Sequence, residues 1–168
     1  MGVEICHILE KRIGKSGEEE AMIYSKECEY AIRALTYLAR HRGKRCLAKE
    51  IANAEEMPLY FLSKILQTLT RQKLLSSAKG PNGGFQLLKA PEAISLYHIK
   101  KLIDGVEDLD ECAVGLGRCN SQTPCPLHDE FKPLREKIKR YLQESTLSEM
   151  TRAVDRKKRI ALKPKPQA

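Results

Sequence analysis

Between Cys28 and Arg42 the apolar residues Ala31, Leu35 and Leu38 recur at helical spacing and Gly43 follows as a stop, so the pattern predicts a helix there. A second, short helix is predicted over Ala48 to Ala54, with Leu47 and Ile51 turned inward. A third opens at Pro58, a residue suited to a first helical turn because its missing N–H would have no partner there anyway. It runs to about Gln72 with Leu62, Ile65, Leu66 and Leu69 on one face. The pattern then changes. Leu74-Leu75-Ser76-Ser77-Ala78, the turn Lys79-Gly80-Pro81-Asn82-Gly83-Gly84 and Phe85-Gln86-Leu87-Leu88 read as a hairpin with a glycine-rich tip. Three helices and a hairpin in that order predict a winged helix-turn-helix: mainly α with a small β wing.

Beyond the hairpin, Ser95 can cap a helix through Ile103, with Leu96, Ile99, Lys100 and Ile103 on a partly apolar face. From His128 onward Phe131, Leu134, Ile138, Tyr141 and Leu142 repeat at intervals of three and four in an otherwise charged segment. That stripe needs a partner. Pairing with the same helix of a second copy is favoured over packing on its own domain, so a homodimer with a long dimerisation helix is expected. The chain therefore divides into a DNA-binding domain over 22–104, a cysteine-bearing loop over 105–127, a dimerisation helix over 128–150 and a basic, disordered tail over 151–168.

Charge narrows the partner. The chain carries 30 Lys+Arg against 22 Asp+Glu, a formal +8, which suits a polyanion. No apolar run is long enough to cross a membrane and no secretory signal is visible, so a cytoplasmic, membrane-free protein is expected. On the third helix Tyr60, Phe61, Ser63, Lys64 and Gln67 form an exposed early face able to meet base edges, thymine methyls and phosphates of a double-stranded DNA operator. Lys79 at the hairpin tip can reach a minor groove or a phosphate. No P-loop, HExxH, GxSxG or dinucleotide fingerprint is present, and an enzyme is not expected.

Cys112, Cys119 and Cys125, with His128 two residues later, lie in a stretch poor in core-forming residues, so packing does not explain the thiols. Three thiolates and an imidazole spaced C-x6-C-x5-C-x2-H are donors suited to zinc or to an iron–sulfur cluster. A disulfide framework would leave one of the three thiols over. A thiol redox enzyme would want a paired C-x-x-C beside a βαβ unit, and neither is visible. Cys28 and Cys46 sit in or beside helices and read as small buried hydrophobes, while His41 and His98 read as surface or helix-end residues.

Tyr24-Ser25-Lys26-Glu27-Cys28-Glu29-Tyr30-Ala31-Ile32-Arg33-Ala34-Leu35, the run Leu74 to Phe85 with its G-P-x-G-G signature, and Cys125-Pro126-Leu127-His128 together resemble one family. It is the family of bacterial winged-helix regulators that includes the iron–sulfur cluster regulator IscR and the nitric-oxide-sensing repressor NsrR. The resemblance runs from about Met22 to the end of the long helix. It implies a dimeric repressor or dual regulator whose Cys112, Cys119 and Cys125 hold an iron–sulfur cluster that gates DNA affinity. In IscR-like relatives the residue at the place of His128 is the fourth ligand of a 2Fe-2S cluster, the favoured arrangement here because His128 lies on the same junction as Cys125. In NsrR-like relatives an acidic residue from the partner's first helix completes a 4Fe-4S site, and that place falls on Glu29. The chain departs from the IscR-like pattern at Ser63 and Lys64, where Glu and Gln stand, and at Lys79, where Arg is frequent.

Residues 1–21 lie outside the resemblance, and Gly17-Glu18-Glu19-Glu20 corresponds to purine-rich codons of the ribosome-binding type just before Met22. They are expected to be a non-native or disordered extension, with Cys6 and His7 accidental rather than ligands. Mass spectrometry of the protein from its own host is expected to find Met22 at the N-terminus. Peptides spanning Val3 to Lys15 would overturn that expectation.

Overall fold

Ser25 starts the first helix, α1 (Lys26–Arg40), by accepting a hydrogen bond from the backbone N–H of Cys28 on its side-chain oxygen, 3.1 Å away. The computed structural model describes residues 23–161, so the expectations for 1–21, for Met22 and for 162–168 fall outside the described residues. Two further helices follow, α2 (Ala48–Ala54) and α3 (Leu59–Arg71), then an antiparallel hairpin of β1 (Leu75–Ala78) and β2 (Gly84–Leu87). Its register sets Leu75 opposite Leu87 and Ala78 opposite Gly84. Next come a 3-10 turn at Pro91–Ala93, α4 (Leu96–Ile103) and a second 3-10 turn at Glu107–Asp110. The last two helices are α5 (His128–Glu144) and α6 (Leu147–Ala161).

This is a winged helix-turn-helix domain with long C-terminal helices, mainly α with a small β wing. Periodicity placed α1 to α4 to within about two residues. The core is apolar and centred on α1, whose Ala31, Ala34 and Leu35 are fully buried among Leu62, Leu66 and Leu69 of α3 and Leu96 and Ile99 of α4. Cys28 and Cys46 belong to it, at 0% and 1% exposure, and burial pushes the Cys28 thiol up to about 12, leaving it unreactive.

The expected disordered tail is corrected over 151–161. Over 151–161 the chain is the greater part of α6, which lies along α1. Leu147 is fully buried, Met150 packs against the core, and Asp155 Oδ1 accepts an ion-paired hydrogen bond from Arg40 Nε at 2.7 Å. The charge run from Arg152 suggested solvation, but Thr146-Leu147-Ser148-Glu149 is a capping box. Thr146 N donates to Glu149 Oε2 at 2.8 Å and Glu149 N to Thr146 Oγ1 at 3.2 Å. The single helix expected over 128–150 is accordingly two, broken at Ser145 and Thr146, where Leu96 N donates to Ser145 O and Leu147 N to Ile94 O.

The stripe of α5 divides between two destinations. Leu142 is fully buried and Ile138 packs on the winged domain, whereas Phe131, Leu134 and Tyr141 stay exposed in the single chain.

Lys100 is 3% exposed, and its Nζ lies 3.0 Å from Asp108 Oδ2 and 3.8 Å from Asp104 Oδ2. Asp104 in turn accepts from Ser25 N at 2.9 Å and from Ser25 Oγ at 2.5 Å, tying the start of α1 to the end of α4. Lys100→Met leaves these acids without their buried cation and is expected to lower stability by about 3 kcal/mol in chemical denaturation. Adding Asp104→Asn should recover part of that loss. Wild-type stability in the single variant would show that the network contributes nothing.

Candidate nucleic-acid interface and cysteine loop

A hairpin this short keeps its shape only where the backbone has room. Gly84 has φ +124°, and a Cβ there would stand 2.6 Å from the carbonyl oxygen of Cys46. That close approach lets Cys46 and Phe85 exchange hydrogen bonds of 2.9 and 2.8 Å, adding a third, one-residue rung beside β2. Arg45 next to it donates from Nη1 to Gly84 O at 3.3 Å and approaches Ser76 Oγ at 3.4 Å, clamping both strands. Sequence reading missed Arg45 because its role depends on a bridge between segments about forty residues apart. Lys79 projects from the tip and is exposed.

On α3 the apolar Leu62, Ile65, Leu66 and Leu69 face the core, so the opposite face is set by the helical period. Tyr60, at 65% exposure, and Phe61 meet edge to face with centroids 5.7 Å apart, and Lys64 Nζ sits 4.4 Å from the Tyr60 ring centre. Gln67 is exposed beside them. Ser63 differs: its hydroxyl donates back to the carbonyl of Leu59 at 2.7 Å, so its proton is already engaged. The face thus offers two aromatic rings, an amide and a cation, all without buried partners.

The cysteine loop hangs between the turn at Glu107–Asp110 and the first turn of α5. Its backbone is closed by Cys112 N to Gly117 O at 2.7 Å, Cys119 N to Asp110 O at 2.8 Å and His128 N to Cys125 O at 2.9 Å. These bonds bring the four donors into two pairs. Cys119 Sγ lies 3.1 Å from His128 Nδ1, and the Cys112 and Cys125 thiols are near enough to shift one another's acidity. Among the described residues no three His, Cys, Asp or Glu side chains gather as a preformed site for a single ion.

Electrostatics separates the Cys112 and Cys125 thiols. Amide N–H groups of Val114 and Leu116, the Cys125 thiol and the Arg135 guanidinium hold Cys112 below the usual thiol range, against desolvation. Cys125, donating to Cys112, is held above it. His128 is 5% exposed, with Nε2 3.3 Å from Ser121 Oγ. Three thiols and an imidazole on one closed loop, one thiol held below its usual range, are a donor set that suits both zinc and iron–sulfur centres.

Glu29, the alternative fourth donor, engages its own helix instead, with Lys26 Nζ at 2.8 Å and Arg33 Nη1 at 3.6 Å. Arg135 escaped sequence reading. Its signal was its place seven residues, two helical turns, beyond His128.

The profile of the Rrf2 family, described as iron-dependent transcriptional regulators, matches residues 24–153. A candidate HTH-type transcriptional regulator of Aquifex aeolicus is 30% identical over 131 residues, covering 77% of this chain and 91% of its own. The HTH-type transcriptional regulator IscR of Erwinia tasmaniensis is 30% identical over 123 residues, covering 72% and 73%. The chain is also similar in fold to CymR, the global cysteine regulator of B. subtilis, with TM-score 0.68 and 19% identity over 79% of this chain and 98% of that one. Among the described residues no helix is long and apolar enough to cross a membrane.

Lys79→Ala is expected to weaken DNA binding by roughly 1 kcal/mol and to reduce the slope of log affinity against log salt by about one unit. Lys64→Ala should act in the same direction. Unchanged affinity and slope in both variants would remove the helix-plus-wing docking.

Proposed function

The chain belongs to the Rrf2 family of transcriptional regulators, which bind DNA, and from that premise we propose a dimeric repressor or dual regulator whose cysteine loop holds an iron–sulfur cluster. DNA affinity follows the state of that loop. The observation that carries the reading is the 3.1 Å contact of Cys119 with His128 on a loop between the winged domain and α5 that also holds Cys112 and Cys125, whose thiols shift one another's acidity. Two pairs of protein donors match the demand of a binuclear centre for two ligands at each iron, and imidazole in place of thiolate is compatible with 2Fe-2S chemistry. Such a cluster would supply a one-electron centre that oxygen, nitric oxide or iron shortage can modify or remove.

The residues themselves do the rest. Amides of Val114 and Leu116 stabilise the Cys112 thiolate, and Ser121 holds the far nitrogen of His128. Phe131, Leu134 and Tyr141, exposed on α5, face the same surface of a second copy, and the two α3 helices then address paired half-sites in successive major grooves. Tyr60, Phe61, Lys64 and Gln67 read the groove while Lys79 reaches the neighbouring backbone. Ser63, with its proton engaged by Leu59, can only accept there.

Anaerobically purified protein is expected to be coloured and to contain iron and acid-labile sulfide. Replacing Cys112, Cys119 or Cys125 by Ser should abolish the visible absorption, since loss of one thiolate leaves too few soft donors to hold iron. His128→Ala should alter or lose the spectrum while Glu29→Ala leaves it intact. The opposite result assigns the fourth position to Glu29 and a 4Fe-4S site. A colourless protein that binds zinc would sink the cluster reading altogether.

A further inference from the structure

Arg135 and His128 leave the same face of α5 two turns apart, and both are buried, at 7% and 5% exposure. Arginine ordinarily covers apolar surface with its stem and keeps its guanidinium in water. Here nearly the whole side chain is withdrawn from water. Its Nη1 donates at 3.0 Å to the carbonyl oxygen of Glu111, the residue before Cys112. Its Nε is equally shut from solvent and has no hydrogen-bond partner among the described residues. A buried charged donor left without an acceptor is costly, and native interiors tolerate it rarely. Asp110, whose carboxylate also feels this guanidinium, is held by Lys139 at 2.5 Å.

The loop beside it collects the opposite charge. Three thiolates with two ferric ions and two sulfides sum to a net negative centre, and each added electron makes it more so. In a region of reduced dielectric a fixed cation next to that centre lowers the energy of the more negative state most.

We propose that Arg135 is the built-in counter-charge of the cysteine loop, a positioning residue that fixes the Glu111–Cys112 segment through Nη1 and offers its unpaired Nε–H and its charge to an anionic iron–sulfur centre. The inference rests on the cluster reading above and adds a residue outside the four donors. It sets how readily the centre accepts an electron.

Full-length wild type, Arg135→Gln and Arg135→Lys, prepared anaerobically and loaded with iron and sulfide, separate the possibilities. Iron content, visible spectrum and midpoint potential are measured on each. In Arg135→Gln the ratio of reduced to oxidised centre at fixed poise is expected to fall roughly tenfold, a midpoint lowered by about 59 mV for one electron. Arg135→Lys restores the charge and should return the midpoint to the wild-type value. Loaded Arg135→Gln with an unchanged midpoint overturns the proposal, as does Arg135→Lys shifted as far as Arg135→Gln. If Arg135→Gln does not fold, Arg135→Lys decides alone: wild-type midpoint supports the counter-charge, and a lowered one overturns it. A wild-type protein without iron and sulfide is the distinct failure of the cluster reading, and this inference falls with it.

Discussion

A lysine taken out of water must keep its counter-ions, and Lys100 is the place where this chain meets that constraint. Its ammonium joins Asp104, at the end of α4, to Asp108, in the turn that leads into the cysteine loop. Asp104 holds Ser25, the cap of α1. The start of the central helix, the end of α4 and the entry to the loop are thereby one electrostatic unit. A displacement of the Asp108 turn cannot occur without a cost at the base of the DNA-binding domain. Apolar packing alone would not impose this, since it tolerates small slides that a hydrogen-bonded charge does not.

Elements whose partners lie nearby in sequence were legible in it. Leu62, Ile65, Leu66 and Leu69 repeat with the helical period because one side of α3 is core, and that fixes Tyr60, Phe61, Lys64 and Gln67 on the other. The wing was legible because glycines stand where the backbone needs them, Gly84 in particular, pressed against the Cys46 carbonyl. What escaped depends on contacts distant in sequence. The charged stretch after Met150 folds as α6 because Leu147 enters a core built largely by residues far earlier in the chain, from Cys28 to Ile99, and composition alone cannot report that. The Thr146–Glu149 capping box was the local signal, outweighed by the charge run.

The same division runs through the candidate site. The spacing of Cys112, Cys119, Cys125 and His128 announced a donor set, but not that His128 would lie against Cys119 and Cys125 against Cys112. That pairing comes from backbone bonds such as Cys119 N to Asp110 O, which draw the loop's middle back to its entry. Lys100 was placed on the apolar face of its helix without its partners, and Arg135 was not seen for a further reason. A charged residue at helical spacing reads as solvent-facing unless the surrounding structure is known, because burial of charge is rare and decided by tertiary partners.

A loop already closed by its own backbone loses less chain entropy when a ligand arrives, although its donor side chains must still converge. In the proposed function its two states must still differ in their interaction with the rest of the molecule, or no signal reaches DNA. The difference can be located. Helix α5 is pinned at one end by Leu142, fully buried against the winged domain, and at the other by His128 and Arg135, which answer to the loop. Between those ends Phe131 and Leu134 lie exposed where a second copy would pack. Under that proposal a change at the loop acts through His128 and Arg135 on the face of α5 that carries Phe131 and Leu134, and so on the spacing of the two winged domains across the proposed dimer, while Tyr60, Lys64 and Lys79 keep their local geometry. Because half-sites are read by spacing as well as by contact, altering that distance changes affinity without moving a single groove-facing side chain within its own domain.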